Sequence, residues 1–215
     1  MHIETSNQPP CELGFGGYTC NWGTHFCGLY ETDAERDDML YAFFAQGALG
    51  GDLQVYSHIE DTDERVRAEW ARRSPELSAL LDDPGRFLLF AARSLYHPQG
   101  VFRPREVVAG WLELLGRVAA EGRNARVVAD TEWALRDVRG RELLLPYEAC
   151  LNEIIPAYPV AATCFYDLRR FSGQTIMGVL RTHRFTISQG TIVENPYYDP
   201  AGWLAANAPD FPPLT

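Results

Sequence analysis

The sequence predicts one α/β domain in which a mostly parallel central sheet is flanked by helices. Short apolar segments alternate with longer segments of helical periodicity, and this alternation is typical of parallel sheets. A length of 215 residues suits one such sheet with its helices. Apolar residues make up 46% of the chain and charged residues 22%, the ordinary usage of a globular domain with a buried core.

The strands are predicted from short apolar or alternating segments bounded by turn residues. In chain order they are Thr24–Tyr30, Asp52–His58, Arg86–Ala92, Ala125–Thr131 and Val160–Tyr166. The last segment is apolar enough to be buried on both faces. A closing hairpin is expected where Arg184–Ile187 and Thr191–Val193 flank Gln189 and Gly190.

The helices are predicted from apolar spacing and end signals. Asp33 can cap a helix that reaches about Gly47, and Pro104 suits the first turn of one that reaches about Glu121. The other helical segments are Asp61–Leu81, with one or two helices, Leu143–Ile155 and Thr175–His183. We divide the chain into an N-terminal arm with a Cys/Gly-rich loop (1–22), the domain itself (23–198) and a proline-rich tail (199–215).

Composition excludes several classes of function. The formal net charge is -10, and all 19 basic residues are arginine, so direct nucleic-acid binding is not expected. The sequence has no apolar run long enough to span a membrane and no signal-peptide core, which predicts a cytoplasmic protein without membrane contact. Five cysteines are an odd number and argue for thiols or metal ligands over a disulfide framework.

One candidate metal site surrounds the glycine-rich loop near the start. Cys11, Cys20, His25 and Cys27 have the donor types of a tetrahedral zinc site, and strand alternation directs His25 and Cys27 to one face. The spacing is not that of a standard zinc finger. In the alternative interpretations, Cys27 is a small apolar core residue and Cys11 a free thiol, or Cys20 and Cys27 form a redox pair.

A second candidate site collects residues from the ends of the predicted fourth and fifth strands and the helices near them. It would bind a small molecule between an aromatic wall and polar groups, because ligands in parallel α/β sheets bind at the carboxyl ends of strands. Its residues are Glu132, Trp133, Glu148, Cys164, Tyr166, Arg169, Arg170 and His183. The alternatives are an ion-pair network with Trp133 in the core, and a purely structural His183 at a helix end.

Three stretches of the sequence, taken in order, resemble the MEDS family of sensory domains. They are Gly23–Tyr30, then Asp130–Trp133 with Tyr147 and Glu148, and then Ala162–Asp167 followed by Thr182 and His183. The resemblance implies a fold similar to RecA and KaiC and hydrocarbon derivatives or related small molecules as ligands. Glu31–Glu35, the turn after the first strand, carries three carboxylates and no lysine, so no nucleotide is expected there.

These observations favour a stand-alone sensory or regulatory domain that binds a small molecule, or registers a metal or thiol state, and signals to a partner protein. Enzyme activity is the less favoured hypothesis: a metal-dependent enzyme would use the Cys and His set, with Glu132 or Glu148 as general base. A third hypothesis is an interaction scaffold that docks through Asp61–Arg73. Exposed aromatic residues in the tail could support a homodimer.

Overall fold

The computed structural model describes residues 9–60 and 62–214, and a seven-stranded sheet runs through it. A separate hairpin precedes this sheet and consists of β1 (Cys11–Glu12) and β2 (Thr19–Cys20). The sheet contains β3 (Thr24–Tyr30), β4 (Leu53–His58), β5 (Phe87–Ala91), β6 (Ala125–Asp130), β7 (Val160–Asp167), β8 (Phe185–Ser188) and β9 (Thr191–Glu194). The spatial order is β5-β4-β6-β7-β3-β8-β9, and all neighbours are parallel except β8 and β9. The predicted α/β class with a mostly parallel sheet is confirmed.

Helices connect the parallel strands, as a parallel sheet requires. They are α1 (Asp33–Gly50), α2 (Asp63–Arg73), α3 (Pro75–Ser78), α4 (Ala92–Leu95), α5 (Pro104–Ala120), α6 (Leu144–Ile154), α7 (Gly173–Thr182) and α8 (Pro200–Asn207). Among the described residues, none of these helices combines the length and apolar character needed to cross a bilayer.

The predicted strands lie within one or two residues of the observed ones, and the closing hairpin forms across Gln189 and Gly190. Both turn residues have positive φ angles, 49° and 68°, as the favoured two-residue hairpin turn requires. The first helix is present, but Asp33 is its first residue and not its cap. The cap is Thr32, whose hydroxyl accepts a hydrogen bond from the Glu35 amide, and the helix extends to Gly50.

Three features were not predicted. The short β1–β2 hairpin falls in the stretch assigned to the arm and loop, α4 directly follows β5, and α8 falls in the predicted proline-rich tail. Residues 1–8 of the predicted arm lie outside the described residues.

The sheet separates two apolar cores. One core packs under α5, α6 and α7 and includes Cys27, Cys164 and Tyr166. The other packs under α1, α2 and α3 and includes Phe26 and Cys11. Adjacent residues of β3 thus enter opposite cores, because successive side chains of a strand point to opposite faces. The face on which a residue lies therefore decides which other groups it can meet.

The ring of Phe165 in β7 packs directly against Gly28 of β3. A Cβ atom added there would lie 2.3 Å from Cδ1 of Phe165, whose own side chain is buried and cannot move aside. We expect Gly28→Ala to lower the free energy of unfolding by about 1–3 kcal/mol through overpacking. Urea unfolding monitored by circular dichroism measures this change. Gly110→Ala, where the added Cβ atom meets nothing within 4 Å, is the control, and an equal loss in both variants would contradict the explanation.

Candidate functional site

Four side chains meet between the sheet and the helices of one face. His25 comes from β3, Glu148 from α6, Cys164 from β7, and His183 directly follows α7. One potential ligand atom from each lies within 4.8 Å of every other, and all four residues are buried. These four residues are called the HECH cluster below.

Strand geometry brings His25 and Cys164 together. In the parallel register of β3 and β7, His25 is the partner of Ala162, so Cys164 lies one alternation further along the same face. His25 Nε2 is 3.5 Å from Cys164 Sγ. Both side chains point towards the helices, and Glu148 reaches down to them from α6.

Neighbouring groups orient the other two members of the cluster. Tyr166 donates a hydrogen bond to Glu148 Oε1 at 3.1 Å, which leaves Oε2 to face the histidines. His183 Nδ1 lies 2.9 Å from the Val179 carbonyl oxygen, an acceptor, so Nδ1 carries the proton. Among the described residues, His183 Nε2 is buried and has no hydrogen-bond partner. Such support of the second imidazole nitrogen is typical of metal-ligating histidines.

Three of the six distances between donor atoms of the cluster are close to the edges of a zinc coordination tetrahedron, and all six are within 4.8 Å. Glu148 Oε2 is 3.3 Å from His25 Nε2 and 3.4 Å from His183 Nε2. Direct hydrogen bonds between nitrogen and oxygen are shorter, about 2.7–3.2 Å. Zinc bonds of about 2.0–2.3 Å imply edges of roughly 3.4 Å between nitrogen and oxygen and roughly 3.6 Å between nitrogen and sulfur. The donor set and its spacing therefore fit a bound cation.

Burial controls the protonation of the cluster. It lowers the pKa of His25, and the neighbouring His183 lowers it further. Burial alone would raise the pKa of Glu148, but the adjacent His183 and His25 imidazoles outweigh it and hold that pKa below its usual range. Burial and the Glu148 charge raise the pKa of the Cys164 thiol well above normal. The cluster thus favours a charged carboxylate beside a neutral thiol, and a bound cation would favour the thiolate.

A small apolar cavity adjoins the cluster. Its volume is about 40 Å³, and His25 and Cys164 belong both to the cavity wall and to the cluster. The rest of the wall is mostly aliphatic and aromatic and includes Tyr96, Trp111, Leu115, Val127, Ala129, Tyr147, Leu151, Ile154, Ile155, Val160 and Ala162. One water molecule needs about 10–15 Å³ of cavity volume measured in this way, so this cavity has room for a molecule of roughly three heavy atoms.

The structure divides the metal set predicted from the sequence. Cys11 and Cys20 are partners across the β1–β2 hairpin and pack with the core under α1. His25 and Cys27 face the core on the other side of the sheet. The sheet therefore separates them from the two hairpin cysteines. The Cys27 thiol lies 3.3 Å from Thr186 Oγ1, and burial raises its pKa to about 12. Of the predicted set, only His25 joins the HECH cluster.

The predicted ligand set is also divided. Glu148, Cys164, Tyr166 and His183 lie together at the cluster. Glu132 and the two arginines lie at the carboxyl edge of the sheet in ion pairs: Glu132 with Arg170, and Arg169 with Asp167 and Asp33. Trp133 is buried in the core and stacks on Tyr96, with 5.2 Å between ring centres.

The turn between β3 and α1 is the acidic Glu31–Glu35 segment in which the sequence predicts no nucleotide site. The Glu35 amide is bonded to the Thr32 hydroxyl, and the Glu31 amide donates to the Glu35 carboxylate at 2.8 Å. This reciprocal pair satisfies backbone donors at the start of α1 within the chain itself. The HECH cluster lies on the face of the sheet, away from this turn.

Comparison with known proteins points to a sensory family. The model of the family described as MEDS, for methanogen/methylotroph, DcmR sensory domain, matches residues 24–184. The transcriptional repressor DcmR of Methylorubrum extorquens (strain DSM 6343 / CIP 106787 / DM4) is 22% identical over 164 residues, which cover 75% of this chain and 58% of the repressor. The chain therefore spans less than two thirds of the length of this relative.

Solved structures support the same fold at low sequence identity. A KaiC-like protein of Pyrococcus horikoshii OT3 superposes with a TM-score of 0.59 and 17% identity, covering 84% of this chain and 80% of that one. The flagellar accessory protein FlaH of Methanocaldococcus jannaschii gives 0.55 and 9%, covering 80% and 73%. A further Pyrococcus horikoshii protein, in complex with an unknown peptide, gives 0.58 and 15%, covering 78% of each chain. The fold is therefore RecA/KaiC-like.

Proposed function

The chain belongs to the MEDS family of sensory domains, and on this premise we propose that it senses a small uncharged molecule through a metal ion held by the HECH cluster. Zinc is the expected ion, because thiolate, imidazole and carboxylate are its usual ligands. The ligand occupies the apolar cavity and contacts the metal centre from there. A change at the centre then passes to a partner regulatory protein.

One observation carries this proposal: the apolar cavity and the candidate metal centre share His25 and Cys164. A molecule in the cavity therefore contacts metal ligands directly, and its presence alters their positions. The remainder of the wall offers almost only carbon surface. A charged ligand is excluded, since burying an ion against such a wall is costly. The cavity volume limits the ligand to roughly three heavy atoms.

The ligand class follows from this wall. A small hydrocarbon derivative, with an apolar body and one thiol, hydroxyl or halogen substituent, satisfies both the carbon surface and the metal end. Its polar atom either approaches the ion or replaces one of the four protein ligands. Because a four-ligand zinc site is closed, exchange of one ligand is the simplest chemical event that the small molecule can cause.

The cluster can pass such an event to the surface through α7. His183 caps the C-terminal end of α7, and one residue separates it from β8. Glu148 belongs to α6, which packs on α7. Movement of either ligand shifts these two helices relative to the sheet. Packed interfaces of this kind change between discrete arrangements, which suits a signal to a partner.

Substitution of the cavity wall tests the proposed sensor. We expect Ala129→Leu to fill the cavity and weaken small-ligand binding at least tenfold while zinc content stays unchanged. Ala129→Gly, which widens the same position, is expected to keep binding. Calorimetric titration with methanethiol, short alcohols and chlorinated methanes measures affinity, with benzene as an oversized probe. Equal affinity in Ala129→Leu and the wild type, or tight binding of benzene, would overturn the proposed cavity site.

The same titrations separate a sensor from a metal-dependent enzyme. An enzyme needs an open coordination position for water or substrate, whereas four protein ligands fill a tetrahedral zinc site. The sensor proposal expects a bound molecule to be recovered unchanged and to alter the helices. Catalytic conversion of the probe by zinc-loaded protein would favour the enzyme instead.

A further inference from the structure

A second, polar pocket opens on the face of the sheet opposite the HECH cluster. Its volume is about 290 Å³, close to that of small-molecule sites. Part of its wall is Leu40, Tyr56 and Trp70, which belong to the core under α1 and α2. Asp130, the last residue of β6, lies in its lining. The pocket thus sits at the carboxyl end of a central strand, where parallel α/β sheets bind ligands.

The positive charges that line this pocket are already paired with carboxylates. The pairs are Arg36 with Asp37, Arg73 with Asp37 and Glu69, and Arg65 with Glu60. Asp33 at the rim is bonded to Arg169 at 2.7 Å. Five carboxylates and three guanidinium groups are among the described lining residues, so the pocket is negative overall.

Asp130 is the lining carboxylate that belongs to none of these ion pairs. Its side chain is buried, and Tyr56 donates a hydrogen bond to Oδ2 at 2.7 Å. Within the described part of the chain, Oδ1 is buried without a hydrogen-bond partner. Burial raises the pKa of Asp130 although Arg36 acts to lower it. A buried acceptor of this kind costs free energy unless a donor reaches it.

Aromatic side chains complete the pocket. Tyr41, Tyr56 and Trp70 all contribute to its lining. Trp70 stacks on Tyr56 with 5.8 Å between ring centres and meets Tyr41 edge-on at 5.5 Å. Aromatic rings attract organic cations, and a carboxylate beside them supplies the opposite charge. The combination suits an ammonium group that carries a small apolar substituent.

We propose that this pocket binds a small organic ammonium ion, whose N–H group donates to Asp130 Oδ1 and whose alkyl part packs against Tyr41, Tyr56 and Trp70. This pocket lies on the other face of the sheet from the proposed sensory site, has a polar lining, and would bind a charged ligand. Each proposal can therefore be tested without the other. Ligand binding at one site can be measured in a variant that cannot bind ligand at the other site.

Paired probes of equal shape test the ammonium site. Ethylammonium and ethanol are nearly isosteric and differ in charge, and sodium chloride keeps the ionic strength constant. Wild-type protein is expected to bind ethylammonium and to show at least tenfold weaker binding of ethanol at this pocket. Backbone amide shifts in NMR spectra are expected at Tyr56 and Asp130. The proposal would be overturned by equal binding of both probes at this pocket, by no binding of ethylammonium, or by amide shifts that leave Tyr56 and Asp130 unaffected.

Matched variants test the assignment to Asp130. Asp130→Asn keeps the shape of the side chain and is expected to weaken ethylammonium binding at least tenfold. Asp167→Asn alters another buried strand-end aspartate, one bonded to Arg169 outside this pocket, and is expected to keep the wild-type affinity. Unchanged binding in Asp130→Asn would overturn the proposal. If that variant does not fold, the wild-type comparison of the two probes decides.

Discussion

After zinc loading and exhaustive dialysis, the protein is expected to retain about one zinc ion per chain. Cys164→Ser and His183→Ala are each expected to reduce this to a small fraction, because each removes one of the four donors of the HECH cluster. Structural zinc sites contribute about 10–16 kcal/mol, so loss of a donor should also lower the melting temperature of the loaded protein sharply. Elemental mass spectrometry and calorimetry measure the two effects.

The cysteines on the other face of the sheet provide the control for this experiment. Cys11→Ser and Cys20→Ser are expected to keep the metal, since both thiols lie in the core under α1. If the metal were bound by the residues predicted from the sequence, Cys20→Ser would lose it. Metal that is lost in Cys20→Ser and kept in His183→Ala would rule out the HECH cluster as the binding site.

Asp52→Ala is expected to destabilise the protein by about 3–5 kcal/mol, because it leaves the buried Arg126 charge without its partner. The Arg126 and Asp52 side chains are only 3% and 5% exposed, and Nε donates to the carboxylate at 2.7 Å. Arg126 also donates to the Phe43 carbonyl oxygen at 3.2 Å, and its guanidinium carbon lies 4.9 Å from the Phe43 ring centre. Denaturant unfolding measures the loss.

Two comparisons show whether the unpaired charge causes this loss. The double variant Asp52→Ala with Arg126→Met removes both charges and is expected to recover part of the stability. Glu194→Ala breaks the exposed pair with Arg184, whose side chains are 40% and 46% exposed, and should cost less than about 1 kcal/mol. Similar losses for Asp52→Ala and Glu194→Ala would contradict the explanation.

The fold could be predicted from the sequence because the strands carry strong local signals. Val160–Tyr166 is apolar enough to predict a strand buried on both faces, and Pro104 marks the start of α5. The β1–β2 hairpin was not predictable in this way, since each of its strands has only two residues and stability comes from packing on α1. Likewise, α8 begins at Pro200 within a segment whose composition suggests a loop.

The site was only partly predictable, because side chains that meet in space were assigned to different groups. Glu148, Cys164 and His183 were predicted as a ligand site, and His25 was grouped with cysteines close to it in sequence. Alternation along β3 places His25 and Cys27 on one face, but it does not reveal on which face the loop before β3 packs. Pairing β3 with β7 would have identified Cys164 as a neighbour, and that pairing is a property of the whole sheet.

The residues of the HECH cluster are far apart in the sequence, and this separation affects the order of folding. His25 and Cys164 are 139 positions apart, and His183 lies beyond both. Closing such a long loop costs conformational entropy before any contact between its ends can offset the cost. While the N-terminal half folds during synthesis, β3 lacks both of its parallel neighbours, β7 and β8. In the proposed metal site, the four donors come together only after α7 has docked. Metal uptake is therefore expected to report completion of the sheet and to be among the last steps of maturation.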